Sequence, residues 1–109
     1  MISSIRLKKE KDFDLVFRKG KRLFSHKLSL QYLPSNELKV GFAVGKKHGG
    51  SVKRNRIKRL LRESFRSFEP QITQNFFFFF FPKISDTYDF HELKQNMEFI
   101  LKKGNFLQE

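Results

Sequence analysis

The chain has 109 residues, no Cys, no Trp, 15 Phe and a formal net charge of +12. Without cysteine, a disulfide framework and a cysteine zinc site are both excluded. The longest apolar run, Phe76 to Phe81, is far too short to span a bilayer, and no apolar core of signal-peptide length follows the first basic residues. The length suits one domain over residues 1–109, with a modest core of Leu, Ile, Val and Phe. The charge is segregated: residues 1–66 hold 19 basic and 5 acidic side chains, residues 67–109 hold 4 and 6. Excess charge of one sign can serve solubility alone, but an excess confined to two thirds of the chain points to a polyanionic partner there.

In chain order, residues 1–8 read as an extended arm. From Lys9 to Lys19 the residues Phe13, Val16 and Phe17 recur at helical spacing, and Gly20 supplies a stop. Leu28 to Leu33 alternates, with Leu28, Leu30 and Tyr32 on one face of a strand. Pro34 to Glu37 is a turn, and Lys39 to Val44 a second strand, so an antiparallel hairpin is expected. Gly45 to Gly50 is a loop. Ser51 is placed as the N-cap of a helix reaching about Phe68, with Pro70 beyond. In that helix Ile57, Leu60, Leu61, Ser64, Phe65 and Phe68 share one arc. Asn55, Arg56, Lys58, Arg59, Arg62 and Arg66 share the opposite one. Phe76 to Phe81 reads as a strand buried on both faces. Asp89 to Lys103 is a final helix with Asp89 and Glu92 in capping-box spacing and Phe90, Leu93, Met97, Ile100 and Leu101 as its inner stripe. Gly104 closes it, leaving 104–109 as a tail. The order helix, strand, strand, helix, strand, helix implies an α+β fold with helices packed on a sheet.

Gly45 to Arg66 carries nine Lys or Arg and one acid, Glu63. A charge run is commonly just a solvated face. Here compensating acids at i, i+4 are nearly absent, so the like charges repel by about 0.2–0.5 kcal/mol per pair until a partner neutralises them. Arg outnumbers Lys, and its planar fork suits phosphate. The preceding loop offers Gly45, Gly49 and Gly50, with Lys46 and Lys47, beside a helix N-terminus, an arrangement that favours anions. It is no nucleotide-hydrolysing P-loop, because Ser51 and Val52 stand where that motif needs Lys and Ser or Thr. Phe13 and Phe17, one turn apart among cations, fit either a core stripe or a stacking surface for unpaired bases. The Phe run is an aggregation hazard if exposed during folding. His26, His48 and His91 lack ligand-like spacing, and no carboxylate pair stands out, so no catalytic or metal-binding residue is assigned.

Lys39 to Arg66, KVGFAVGKKHGGSVKRNRIKRLLRESFR, closely resembles the protein component of bacterial ribonuclease P. The shared pattern is a hydrophobic strand, Lys46-Lys47, Gly49, Val52, then Arg54, Asn55, Arg56, Lys58, Arg59, Arg62 and Glu63. DFDLVFRKGKR resembles the family's first helix at Phe13, Phe17 and Gly20. Departures are Gln31, where relatives often carry an aromatic, His48 in the loop, and the Phe run with Pro82-Lys83 in place of an Ile/Val-rich strand ending in Ala-Arg.

The resemblance implies a small α/β sandwich with a left-handed crossover. It implies a protein subunit that binds a catalytic RNA and the 5′ leader of precursor tRNA, promoting endonucleolytic 5′ maturation of tRNA in the cytoplasm. The chemistry would be done by the RNA with Mg2+. On that basis Lys53, Arg54, Asn55, Arg56, Lys58, Arg59, Arg62 and Arg66 would face the catalytic RNA. Phe13, Phe17, Ser29, Gln31, Lys46 and Lys47 would line the leader cleft. Neither DNA nor membrane is an expected partner. The rival reading is an architectural, ribosomal-type RNA-binding protein with no part in tRNA processing.

Overall fold

In the computed structural model of the protein, the described residues are 5–6 and 18–107. The arm expected over 1–8 lies outside them except for Ile5–Arg6. The helix expected over Lys9 to Lys19, with Phe13 and Phe17, lies outside except for its last residues. Arg18 and Lys19 are helical, and Gly20 leaves the helix.

Five strands form one mixed sheet: β1 (Ile5–Arg6), β2 (Lys21–Phe24), β3 (Leu28–Pro34), β4 (Lys39–Phe42) and β5 (Phe76–Pro82), in the spatial order β1-β4-β5-β3-β2. The Phe run is the middle strand. It pairs antiparallel with β3 in the register Gln31 to Phe79 and parallel with β4 in the register Gly41 to Phe79. Its alternate side chains feed two clusters. Phe78 and Phe80 join the main core, while Phe77 and Phe79 are buried on the opposite face beside Leu33, Ala43 and Phe81. Both prolines, Pro34 and Pro82, sit in the terminal pairs of the β3–β5 ladder, where a missing N–H removes no interior rung.

The expected hairpin does not form. β3 and β4 run in opposite directions, as the turn at Pro34 to Glu37 requires, but β5 lies between them. A strand apolar on both sides is best covered in the centre of a sheet, and that demand overrides the local preference for adjacent pairing. β2 was not anticipated either. It is a four-residue edge strand whose Lys21, Arg22 and Phe24 are exposed, a composition that blunts an edge and hides the strand pattern.

Two long helices cover the core face: α1 (Ser51–Phe68) and α2 (Phe90–Lys103). The α1 stripe is buried at Ile57, Leu61, Ser64, Phe65 and Phe68, with Leu60 at its margin. Ser64 is satisfied inside the helix, its hydroxyl donating to the Leu60 carbonyl at 2.8 Å. Phe65 meets Phe42, Phe78 and Phe80 at ring-centroid distances of 6.4, 6.2 and 5.8 Å. The N-cap of α1 is Gly50 rather than Ser51, and no side chain caps it; Ser51 is already helical. α2 begins as expected, with the Asp89 carboxylate accepting the Glu92 N–H at 3.0 Å.

Its other end shows why residue 104 is glycine. Asn105, at φ 61°, is the left-handed residue; the Phe106 N–H bonds the Leu101 carbonyl at 2.9 Å and the Asn105 N–H bonds that of Lys102 at 3.0 Å, a Schellman closure. This turns Phe106 back into the core at 4.9 Å from Tyr32, 5.0 Å from Phe76 and 4.9 Å from Phe78, all edge-on. The residues after Gly104, read from the sequence as a tail, thus supply a core ring. A Cβ at residue 104 would stand 2.2 Å from Phe106 Cε2 and 3.0 Å from Leu23 Cδ1. Because that ring is wedged among three others, Gly104→Ala is expected to cost about 1–3 kcal/mol through overpacking, measured as a lower urea midpoint with an unchanged m-value.

Candidate nucleic-acid interface

Burying one face of α1 leaves its other face outward. Lys53, Asn55, Arg56, Arg59 and Arg66 are exposed, and Arg54, Lys58 and Arg62 are partly exposed. The neighbouring acid on this helix, Glu63, is exposed. Among the described residues the ion pairs Lys27–Glu92 at 3.7 Å, Lys39–Glu37 at 3.9 Å and Lys102–Glu98 at 3.8 Å all lie elsewhere. Arg56, Lys58, Arg59 and Arg66 therefore form a cationic ridge without acidic partners among those residues, held outward by the apolar stripe beneath.

A short 3-10 turn, Lys46–His48, joins the sheet to α1. Lys46 and Lys47 are exposed, while His48 points inward and is only 8% exposed. His48 Nδ1 lies 2.5 Å from the Tyr88 hydroxyl oxygen. That oxygen also accepts the Ser85 N–H at 3.1 Å. Burial, and secondarily the Lys53 charge, hold the His48 pKa below the ordinary imidazole value, so the buried ring is neutral. Lys53 Nζ also sits 5.6 Å above the Tyr88 ring. The loop, the first turn of α1 and the segment after β5 are thus tied together, which fixes where the two lysines stand. The sequence marked His48 only as unusual; its partner is forty residues away and has no local signature.

Ser29 and Gln31 point away from the helices, on the second face of the sheet. Gln31 is 4% exposed and is clamped by β2: with its amide oxygen turned toward Arg22, it accepts from Nε at 2.6 Å and Nη2 at 3.0 Å. These residues line a shallow cleft of about 260 Å3 with Arg22, Phe24, Leu30 and Phe81. A broader groove of about 670 Å3 opens beside it, lined by Ala43, Gly45, Lys46, Lys47, His48, Phe81, Pro82, Lys83 and Ile84. Phe81 borders both. The structure therefore brings Ser29, Gln31, Lys46 and Lys47 along one path, which meets the basic ridge where α1 begins. Arg22, Phe24, Phe81 and Lys83 were missed. Lys21 to Phe24 shows no polar–apolar alternation, so the first two had no local signal, and for the others only the register sets the face.

The donor sets for chemistry are of a different kind. No group of three or more His, Cys, Asp or Glu is gathered among the described residues in a way that fits a metal ion. No helix among them is long and apolar enough to cross a membrane. A mixed sheet backed by two helices, with an aromatic and polar face bordered by a ridge of arginines, has the features of a nucleic-acid-binding protein of the α+β class.

The particular family follows from comparison with known proteins. The sequence matches the ribonuclease P family over residues 1–105. It is 38% identical to the ribonuclease P protein component of Listeria welshimeri over 113 aligned residues, spanning 100% of this chain and 95% of that protein. It is 40% identical to the corresponding protein of Caldanaerobacter subterraneus over 109, spanning 95% and 92%. The RNase P protein of Thermotoga maritima superposes with a TM-score of 0.81 at 27% identity, over 90% of this chain and 96% of that one. That of Staphylococcus aureus gives 0.85 at 24%, over 97% and 100%, a likeness of fold. The chain belongs to the ribonuclease P protein family and is a protein subunit of that endoribonuclease ribonucleoprotein, which sets aside the architectural, ribosomal-type reading.

The buried His48 makes a pH prediction. Its folded pKa lies below the unfolded value of about 6.5, so the unfolded chain binds the proton more readily. Its contribution to stability is complete above that value and is lost as pH falls from there through the folded-state pKa. Urea unfolding between pH 7.5 and 5.5 is expected to show falling stability, and His48→Leu to remove most of that slope.

Proposed function

We propose that α1 docks on the catalytic RNA of ribonuclease P while the second face of the sheet receives the single-stranded 5′ leader of precursor tRNA. The observation that carries this reading is the meeting of two surfaces at Lys46 and Lys47: a ridge of cations on one side, and a cleft with an aromatic border on the other. Lys53, Arg54, Asn55, Arg56, Lys58, Arg59, Arg62 and Arg66 contact RNA phosphates, releasing counterions. Ser29 and Gln31, with Phe13 and Phe17, line the path of the leader, and Lys46 and Lys47 hold its backbone near the ribozyme. The whole chain acts as a single RNA-binding domain in the cytoplasm.

In this division of labour the protein orients and the RNA cuts. Magnesium would supply charge neutralisation and an activated water when bound by the RNA. The protein's residues add leader affinity to precursor tRNA that mature tRNA cannot share, which favours substrate over product. They also screen phosphate repulsion where the RNAs meet, lowering the magnesium needed.

Reconstitution with a bacterial ribonuclease P RNA at low magnesium tests the assignment: precursor tRNA cleavage is expected to be restored by the chain and not by the chain alone. Arg56→Ala should weaken assembly with that RNA and reduce the slope of log affinity against log salt by about 1. Phe17→Ala should weaken precursor tRNA but spare mature tRNA, and equal losses for both would remove the leader-cleft assignment.

A further inference from the structure

We infer that the path for single-stranded RNA does not end at the edge of the sheet but continues around the Ser25–Lys27 turn into a second groove between β2 and α2, where Phe24 and Phe99 stack unpaired bases. This rests on the proposed seating of the leader on the sheet face.

The groove is about 390 Å3 and is lined by Phe24, Ser25, His26, Gln95, Asn96 and Phe99. Phe24 also walls the cleft of Ser29 and Gln31, so the two depressions meet at one side chain. Phe24 is 52% exposed and Phe99 54% exposed. Among the described residues only two other large apolar side chains are as open, Val52 and Ile84, and neither lines this groove. Two aromatic rings left half in water within one groove match the stacking platforms by which proteins hold unpaired bases. Gln31 is committed to Arg22 and offers no π-face, whereas Phe24, opposite Ser29 in the register, adds one beside Phe81 on the same face of the sheet.

The walls are fixed in advance. The Ser25 N–H donates to the Leu28 carbonyl at 2.8 Å, and Lys83 Nζ bonds the Ser25 carbonyl at 2.7 Å. Asn96 Oδ1 accepts the Lys27 N–H at 2.8 Å, which ties the turn to α2. Such a groove orders little on binding.

The occupant follows from charge. Lys103 Nζ lies 5.8 Å over the Phe99 ring, Lys21 and Arg22 are exposed on β2, and His26 is exposed at the turn. The nearby acids Glu92 and Glu98 are each paired with a lysine, at 3.7 Å and 3.8 Å. A second copy of this chain would bring its own +12 to a basic rim, and a groove floored by His26, Gln95 and Asn96 lacks the broad apolar patch a dimer needs. A polyanion with flat apolar bases suits both features.

The test uses the reconstituted holoenzyme and precursor tRNAs whose leaders lengthen one nucleotide at a time. Wild-type affinity is expected to rise with leader length in two stages. Phe24→Ala should lower both stages. The deficit of Phe99→Ala should grow with length and reach about fivefold or more for the longest leaders, the loss of one stacked base. 4-Thiouridine in the distal leader should crosslink to α2. Both positions are half in water, so both variants should fold, as circular dichroism can establish. If Phe99→Ala matches wild type at every length, or if light scattering shows self-association that these substitutions abolish, the groove is not an RNA site. If wild-type affinity ignores the leader altogether, the sheet-face reading itself falls.

Discussion

A strand of consecutive phenylalanines must be covered on both faces, and the rest of the molecule is arranged around that demand. β5 takes the centre of the sheet with β3 on one side and β4 on the other. Phe78 and Phe80 draw α1 and α2 onto one face through Phe65 and Phe106, while Phe77 and Phe79 bury themselves on the other. The same register then dictates what the second face shows. Gln31 falls opposite Phe79 and Ser29 opposite Phe81, so polar side chains and aromatic rings alternate across adjacent strands. Hydrophobic burial thereby sets the geometry of a surface that is itself partly polar.

Electrostatics acts on that frame without building it. Along the outer arc of α1 the cations Arg56, Lys58, Arg59 and Arg66 repel one another and oppose the helix. The helix persists because Ile57, Leu61, Phe65 and Phe68 are buried beneath it. The consequence is an exposed ridge of like charge, the arrangement on which the proposed docking to RNA phosphates rests. Lys46 and Lys47 belong to both surfaces, and their position depends on a neutral histidine hydrogen-bonded to a tyrosine on a distant segment. A buried polar pair of this kind fixes geometry more than it adds stability.

The second face of the sheet draws its chemistry from the edge strand as well as from the centre. Phe24 stands opposite Ser29 across the β2–β3 ladder and leaves its ring half in water. Gln31 stands opposite Arg22, whose guanidinium holds its amide oxygen. One strand that the sequence pattern hides thus supplies both an aromatic ring and a cation to that face.

Both long helices, the inner stripe of each (apart from Phe90, which stays half-buried outside the core), the Asp89 cap and the partition of α1 into apolar and cationic arcs are short-range facts. They follow from 3.6-residue periodicity and from contacts three or four residues apart, so the chain by itself determined them, along with the basic motif from Lys46 to Arg62 and the family it marks. Strand order was beyond such reasoning. The turn at Pro34 correctly implied opposite directions for β3 and β4, yet the insertion of β5 between them is a competition among surfaces more than thirty residues apart. The glycine requirement at 104, the His48–Tyr88 bond and the shared wall at Phe24 have the same origin: each arises where segments remote in sequence are pressed together by burial, and only the folded chain decides which ones meet.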